Sequence, residues 1–103
     1  MIAKIEKKIQ DVKQELQTIG DMRTGSLTKQ FYKRGDKKWP YWQISYTYKM
    51  RSKTEYVRDE FVDQLAKEIA EYKRFKKLTT EWLKLSIELS KRRLDLAKKL
   101  LEK

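Results

Sequence analysis

The spacing between apolar residues changes twice along this chain, and these changes divide it into three segments. In residues 2–19 the apolar positions recur at intervals of 3 and 4, the heptad pattern of an amphipathic helix. In residues 25–57 β-branched and aromatic residues alternate with polar ones instead. Helical spacing returns in residues 59–103. The pattern predicts one α+β domain over residues 1–103, with a helix at 1–20, a three-stranded antiparallel sheet at 25–57 and a long helix at 59–103.

The central segment is predicted to form three strands, over residues 26–32, 41–48 and 51–57, with turns at 33–38 and 49–50. Short connections make neighbouring strands antiparallel. The bulkier residues are expected on the side that packs against a helix: Leu27, Phe31, Trp42, Ile44, Tyr46, Tyr48, Thr54 and Tyr56. The opposite side, called the open face below, is expected to hold Thr28, Gln30, Gln43, Ser45, Thr47, Arg51 and Lys53.

The last segment carries a long apolar stripe that no Gly or Pro interrupts. An unbroken helix here would be about 65 Å long, against roughly 27 Å for the first helix, at 1.5 Å per residue. Thr79 and Thr80 are weak helix formers, so the alternative is a bend or break at residues 78–80 that returns the helix as a hairpin. Because the first helix is too short to cover the whole stripe, we expect a homodimer formed through the C-terminal helix.

Positive charge is concentrated in one third of the chain. Of a net charge of +11, most lies in residues 23–58, where ten Lys and Arg residues face two acidic residues. The flanking segments are close to balanced. Concentrated positive charge is typical of a surface that binds a polyanion, so nucleic acid is the expected partner.

The residues that most enzymes need are scarce. The chain has no Cys and no His, which excludes disulfides, thiolate catalysis and the usual zinc sites. Asp36 and Glu55 are the only acids in the basic segment and are expected to be charge partners of nearby cations. We therefore expect no enzyme activity, no cofactor and no metal. The charged, periodic N-terminus does not resemble a signal peptide, and no apolar run has the length of a membrane span, so a cytoplasmic location is expected.

Three stretches of the sequence point to a family: GDMRTGSL at residues 20–27, PYWQISY at 40–46 and YKRFKKL at 72–78. They resemble an uncharacterised family of small prokaryotic proteins found near transposases, and the likeness covers roughly residues 15–95. That family has a Cys-rich insert before its Pro-Tyr motif. Residues 33–38 (KRGDKK) stand there in this chain, so any metal role of the insert is absent. The resemblance implies a mobile-element context but no mechanism.

A second resemblance rests on Gly25-Ser26-Leu27, the basic turn at 33–38, the YWQISY run at 41–46 and the basic strand that precedes the last helix. Together these are similar to the arm-DNA-binding domain of tyrosine-type phage integrases, over residues 25 to about 75. The resemblance implies a three-stranded sheet that is backed by a helix and enters the DNA major groove.

Candidate contacts to nucleic acid follow from side-chain chemistry. Base readers are expected at Gln30, Gln43, Arg51 and Lys53, because Gln pairs with adenine and Arg or Lys pairs with guanine. Trp39 and Tyr41, on either side of Pro40, could instead stack on unpaired bases. Phosphate contacts are expected from the remaining cations of the segment: Arg23, Lys29, Lys33, Arg34, Lys37, Lys38, Lys49 and Arg58.

The function predicted from these features is that of a dimeric nucleic-acid-binding accessory protein of a mobile element or phage, which contacts duplex DNA through a basic sheet. One alternative is an RNA-binding protein that recognises a structured RNA. Another is a protein-interaction adaptor that acts through its long helix. A role at a bilayer surface is least favoured, because the helices carry balanced charge and lack a basic polar face.

Overall fold

A computed structural model describes residues 1–102 of the 103-residue chain. The elements are α1 (Ile2–Leu16), β1 (Ser26–Arg34), β2 (Lys37–Tyr48), β3 (Arg51–Val57) and α2 (Asp59–Leu101). The three strands form one antiparallel sheet in the order β1-β2-β3. The predicted α+β arrangement of a helix, a three-stranded antiparallel sheet and a long helix is therefore confirmed.

Helix α2 is continuous over 43 residues, so the break and the helical hairpin at residues 78–80 are not formed. The two threonines there are satisfied inside the helix. The Thr79 hydroxyl donates to the carbonyl oxygens of Phe75 and Lys76 at 3.0 and 3.1 Å, and the Thr80 hydroxyl donates to that of Lys76 at 2.8 Å. Both hydroxyls share carbonyl acceptors of the preceding turn with the backbone amides, so they find partners without interrupting the helix.

The chain forms two compact units, and α2 contributes to both. The helical unit consists of residues 1–19 and the part of α2 that begins at Arg74. Its core joins Ile5, Ile9 and Val12 of α1 to three leucines of α2, Leu78, Leu85 and Leu89, with Trp82 packed beside them. The heptad positions of α1 therefore serve as its core positions.

Helix α1 is shorter than the sequence predicts. It ends at Leu16, whereas the periodicity extends to Ile19 and predicted a helix to residue 20. The Thr18 hydroxyl donates to the carbonyl oxygen of Glu15 at 2.7 Å, and the amides of Thr18 and Ile19 close a tighter turn. Ile19 still packs against the helical core, so the apolar spacing outlasts the helix.

The sheet unit, residues 20–73, is built from two hairpins with two-residue turns. Strands β1 and β2 continue through the predicted turn at 33–38 until Arg34 lies opposite Lys37. Gly35 begins this turn with φ of 64°, the left-handed conformation that glycine adopts without steric cost. The second turn uses Lys49 and Met50, with φ of 51° and 64°, which is unusual for non-glycine residues.

The core of the sheet unit lies between one face of the sheet and the first part of α2. Ile44 is 1% exposed and forms a buried cluster with Val57 and Ile69. Leu27, Trp42, Val62 and Leu65 pack around this cluster. Gly25 permits the close approach of the chain before β1, because a Cβ there would lie 3.0 Å from the Ile44 side chain.

The predicted faces of β1 and β2 agree with the register, but those of β3 are wrong. Ile44 lies opposite Glu55, and Gln43 lies opposite Tyr56. Directly opposed residues of an antiparallel pair project to the same side. Tyr56 and Thr54 are therefore on the open face, and Arg51, Lys53 and Glu55 are on the helix side.

Candidate nucleic-acid interface

The open face is defined by three cross-strand rows around its centre. Gln43 of β2 lies between Thr28 of β1 and Tyr56 of β3. The next row toward the β1–β2 turn pairs Gln30 with Tyr41, and the row after that pairs Tyr32 with Trp39. No helix of the sheet unit covers this face within the described residues, because the buried cluster uses the other side.

Four aromatic side chains dominate this face: Tyr32, Trp39, Tyr41 and Tyr56. The ring centroids of Tyr32 and Trp39 are 6.2 Å apart, and those of Tyr41 and Tyr56 are 6.4 Å apart. Trp39 is 46% exposed and Tyr56 is 70% exposed. Large rings that remain this accessible on a sheet surface are available to stack on planar groups.

Two members of the aromatic set were missed at the sequence level. The sequence pattern places Tyr32 at the end of a short strand, but the two-residue turn at Gly35 and Asp36 pairs it with Trp39. The pattern also predicts Tyr56 on the helix side, but counting outward from the turn at residues 49–50 pairs it with Gln43 on the open face. In both cases the turn length fixes the register.

The tip of the β1–β2 hairpin carries two pairs of like charges. Arg34 lies opposite Lys37 on the open face, and Lys33 lies opposite Lys38 on the helix side. All four side chains are exposed, and none makes an ion pair within residues 1–102. Four of the eight predicted phosphate contacts thus lie together at one end of the sheet.

The predicted base readers are separated by the sheet. Gln30 and Gln43 are half-buried on the open face, and the Gln30 side-chain amide donates to the Thr28 hydroxyl at 3.4 Å. Arg51 and Lys53 lie on the other side, and Lys29 shares that side with them. A ligand on the open face can therefore meet both glutamines but neither of the two basic readers of β3.

Tyr48 is on the helix side as predicted, but it is not a core residue. It is 57% exposed, because the β2–β3 hairpin extends past the buried cluster. The ammonium groups of Lys49 and Lys53 lie 5.4 and 5.9 Å from the centre of its ring. These contacts are cation–π interactions at an exposed site, where each contributes about 0.5–1 kcal/mol.

Arg23, a predicted phosphate contact, instead interacts with Glu55 and Tyr46 within the sheet unit. Its guanidinium donates to the Glu55 carboxylate at 3.2 Å and lies 5.1 Å from the ring centre of Tyr46. The Tyr46 hydroxyl donates to the same carboxylate at 2.8 Å. This hydrogen bond, followed by that from Arg23, holds the pKa of Glu55 below its ordinary value, and the bond to Glu55 raises the pKa of Tyr46.

Arg58, another predicted phosphate contact, follows β3 and is exposed. Its guanidinium lies 3.0 Å from the Glu60 carboxylate in the first turn of α2. An exposed ion pair of this kind contributes little to stability, about 0–1 kcal/mol. Arg58 is therefore more available to a ligand than Arg23, but it lies outside the aromatic rows.

Residues 1–102 contain neither an acidic metal cluster nor a membrane-spanning helix. Residues 1–102 contain no group of three or more acidic side chains placed to hold a metal ion. Over that range neither helix combines the length and the apolar content needed to cross a bilayer. Comparisons of the chain with protein-family models, with curated proteins and with solved structures found no match.

Proposed function

We propose that this protein binds nucleic acid on the open face of its sheet, with unpaired bases stacked on the aromatic rows and phosphates held at the hairpin tip. The observation that carries the proposal is the continuity of the two features. On the open face, the row formed by Tyr32 and Trp39 is followed directly by the cationic row of Arg34 and Lys37.

The charge at the tip favours an anionic ligand. Like charges directly opposite each other in an antiparallel pair are destabilising, and this hairpin has two such pairs in succession. Asp36 in the turn is the only acid between them, against four cations. A phosphate backbone would neutralise these pairs and release its own counterions, which makes binding depend on salt concentration.

The aromatic rows favour bases that are not paired. Stacking of a base on an aromatic side chain contributes about 1–3 kcal/mol and tolerates any sequence, because every base has a π face. Two ring pairs, each 6.2–6.4 Å between centroids, give a platform for more than one base. Single-stranded DNA or the unpaired loops of a structured RNA meet this requirement.

Duplex DNA is the second candidate, and Gln30 and Gln43 favour it. Both amides lie on the open face at positions where they could pair with an adenine edge in the major groove. Arg34 and Lys37 on the same face would then contact the flanking phosphates. The protruding aromatic rings beside the glutamines oppose this candidate, since they would have to enter the groove as well.

The wider biological role remains the one that the sequence resemblances imply. We propose an accessory protein of a mobile element or phage, in which the sheet unit supplies the nucleic-acid contact. A single-stranded or structured segment of the element's nucleic acid is the ligand class that fits the open face.

Fluorescence anisotropy with labelled single-stranded DNA, structured RNA and duplex DNA tests this proposal. Tyr32→Ala and Trp39→Ala should each weaken single-strand binding by roughly 5- to 150-fold, the equivalent of one lost stack. Tyr48→Ala is the matched control, because Tyr48 is as exposed as Tyr32, 57% against 58%, but projects from the other face. Gln43→Ala should change duplex sequence preference only if duplex DNA is the ligand.

Two results would overturn the proposal. One is the absence of binding to all three ligands at low salt. The other is an equal loss of binding in the Tyr32 and Tyr48 variants, which would show that the open face has no special role. Circular dichroism of each variant verifies that the sheet is intact.

A further inference from the structure

The second half of α2 carries an apolar line that is distinct from its core positions. We call this line the outer seam. It recurs at intervals of 4 and 3, with apolar residues at every position except Ser90: Leu83, Ile87, Ser90, Leu94, Ala97 and Leu101. Intervals of 4 and 3 are the signature of a helix that packs along a second helix. The core positions Leu78, Leu85 and Leu89 lie on another side of α2, against α1.

The outer seam is open to solvent. Leu83 is 63% exposed, Leu94 is 58% exposed and Leu101 is 85% exposed, whereas Leu85 is 8% exposed. Single exposed apolar residues are ordinary on protein surfaces, but a continuous heptad line over nineteen residues is not. At 1.5 Å per residue the seam is about 27 Å long, which is enough for four or five turns of a partner helix.

Small residues give the seam a shape that large side chains can fill. Ser90 and Ala97 alternate with larger apolar residues along the seam. A depression lies beside Ser90, and Ser86 and Leu94 also line it. In coiled coils such positions receive the side chains of the facing helix as knobs in holes. A parallel second copy would place Ser90 against Ser90 and Ala97 against Ala97, which leaves both layers underfilled.

The charges beside the seam are positive. Lys84, Lys91 and Lys98 form a row along one side at intervals of seven. Arg93 lies on the other side, with its guanidinium 3.8 Å from the Glu6 carboxylate of α1. The acids of α2 in this region, Glu81, Glu88 and Asp95, lie beyond the lysine row as seen from the seam. Glu81 and Glu88 line the groove between α1 and α2, which Lys84 borders from the seam side.

We infer that the outer seam docks an amphipathic helix of another protein whose flanking positions are acidic. Residues beside a coiled-coil seam set the choice of partner through interhelical charge. In an antiparallel second copy the lysine row would face itself, and in a parallel copy Arg93 would face Lys98. Like charges oppose both arrangements, so the homodimer predicted from the sequence is disfavoured at this seam.

A pair of designed peptides tests the charge requirement on the full chain. Both are 28-residue helical peptides with Leu at the seam positions, and they carry either Glu or Lys at the flanking positions. The acidic peptide should bind at least tenfold more tightly than the basic one in a titration followed by anisotropy. Leu94→Ser should reduce this binding at least tenfold, and exchange of Lys84, Lys91 and Lys98 for Gln should weaken it and reduce its salt dependence.

Two controls keep the result specific. Replacement of the four hairpin-tip cations by Gln must leave peptide binding unchanged, since the acidic peptide could otherwise bind to the sheet unit. Leu94 is exposed, so its Ser variant should keep the helix content of the wild-type chain by circular dichroism.

Three results would overturn the inference. Equal binding of the acidic and basic peptides, or no binding of either, would remove the charge argument. A dimer in sedimentation equilibrium that Leu94→Ser converts to a monomer would assign the seam to a second copy. Leu94-dependent binding to phosphatidylserine vesicles, without peptide binding, would assign it to a bilayer surface.

Discussion

Neutralising the tip of the β1–β2 hairpin should change affinity and stability in opposite directions. The variant replaces Lys33, Arg34, Lys37 and Lys38 by Gln, which removes both like-charged cross-strand pairs and keeps the length and polarity of the strands. If the four cations serve only as solubilising groups, binding to nucleic acid would depend little on them. If they hold phosphates, their loss should be visible in the salt dependence of binding.

The expected change in the salt dependence of binding follows from counterion release. Each phosphate contact on a single strand contributes about 0.7 to the slope of log affinity against log salt concentration. The two contacts of Arg34 and Lys37 on the open face therefore make the wild-type slope steeper than that of the variant by about 1.4, or by about 1.8 on duplex DNA. Between about 50 and 200 mM salt, the wild-type chain should lose roughly 7-fold more single-strand affinity than the variant.

Stability should move the other way. Removing two directly opposed pairs of like charges relieves repulsion of about 0.2–1 kcal/mol for each pair. The free energy of unfolding of the variant should therefore equal or exceed that of the wild-type chain in urea. Weaker binding could then not be ascribed to a damaged sheet.

The assay is anisotropy across a salt series, with urea denaturation of the same proteins. The matched control neutralises four exposed helical lysines, so that net charge changes equally while the tip is untouched: Lys4, Lys7, Lys8 and Lys99. Its salt slope should stay close to that of the wild-type chain. Equal slopes for the tip variant and the wild-type chain, or equal losses in the two variants, would refute the assignment of phosphates to the tip.

Three further predictions concern the sheet unit. Gly25→Ala should lower the free energy of unfolding by about 2–5 kcal/mol, because φ is 137° and the new Cβ would lie 3.0 Å from atoms of Ile44 and Ser45. Gly20 has open space around it, so Gly20→Ala should leave urea denaturation nearly unchanged. Hydrogen bonds from Tyr46 and Arg23 lower the pKa of Glu55 below 4.5, so its contribution to stability is present above pH 4.5 and is lost as the pH falls further. Acid denaturation of the Glu55→Gln variant should show a smaller loss of stability over this pH range. Exchange of Lys49-Met50 for Asn-Gly should raise the melting temperature, since it relieves about 1–2 kcal/mol of left-handed strain.

The element order could be predicted from the sequence because each segment has its own hydrophobic period. The faces of β1 and β2 were also predictable, since Ile44 and Trp42 alternate with polar neighbours over many residues. The error in β3 arose because its own alternation is weak. The charge of Arg51 and Lys53 favours the solvent-facing side, but the two-residue turn at 49–50 places both on the same face as Tyr48.

Other features depend on tertiary contacts that no local pattern encodes. The ion pair between Arg23 and Glu55 joins residues 32 positions apart in sequence. The number of Lys and Arg residues in the segment is therefore larger than the number of cations available to a ligand. Helix α2 continues through Thr79, which lies next to the buried core residue Leu78, whereas threonine propensity alone favours a break there. Propensity is a weak prior that such contacts override.

The distribution of aromatic residues in the sheet unit argues for a ligand more strongly than its charge does. The buried cluster relies on aliphatic Ile44, Val57 and Ile69, with one tryptophan beside them, and it leaves Trp39 and Tyr56 in solvent. A small fold gains most from large rings when they are buried, because each can remove 150–250 Å² of surface from water. A sheet that keeps Tyr32, Trp39 and Tyr56 exposed on its open face, beside cations that make no ion pair within residues 1–102, forgoes that stabilisation. Bases and phosphates are the ligands that would use both features together.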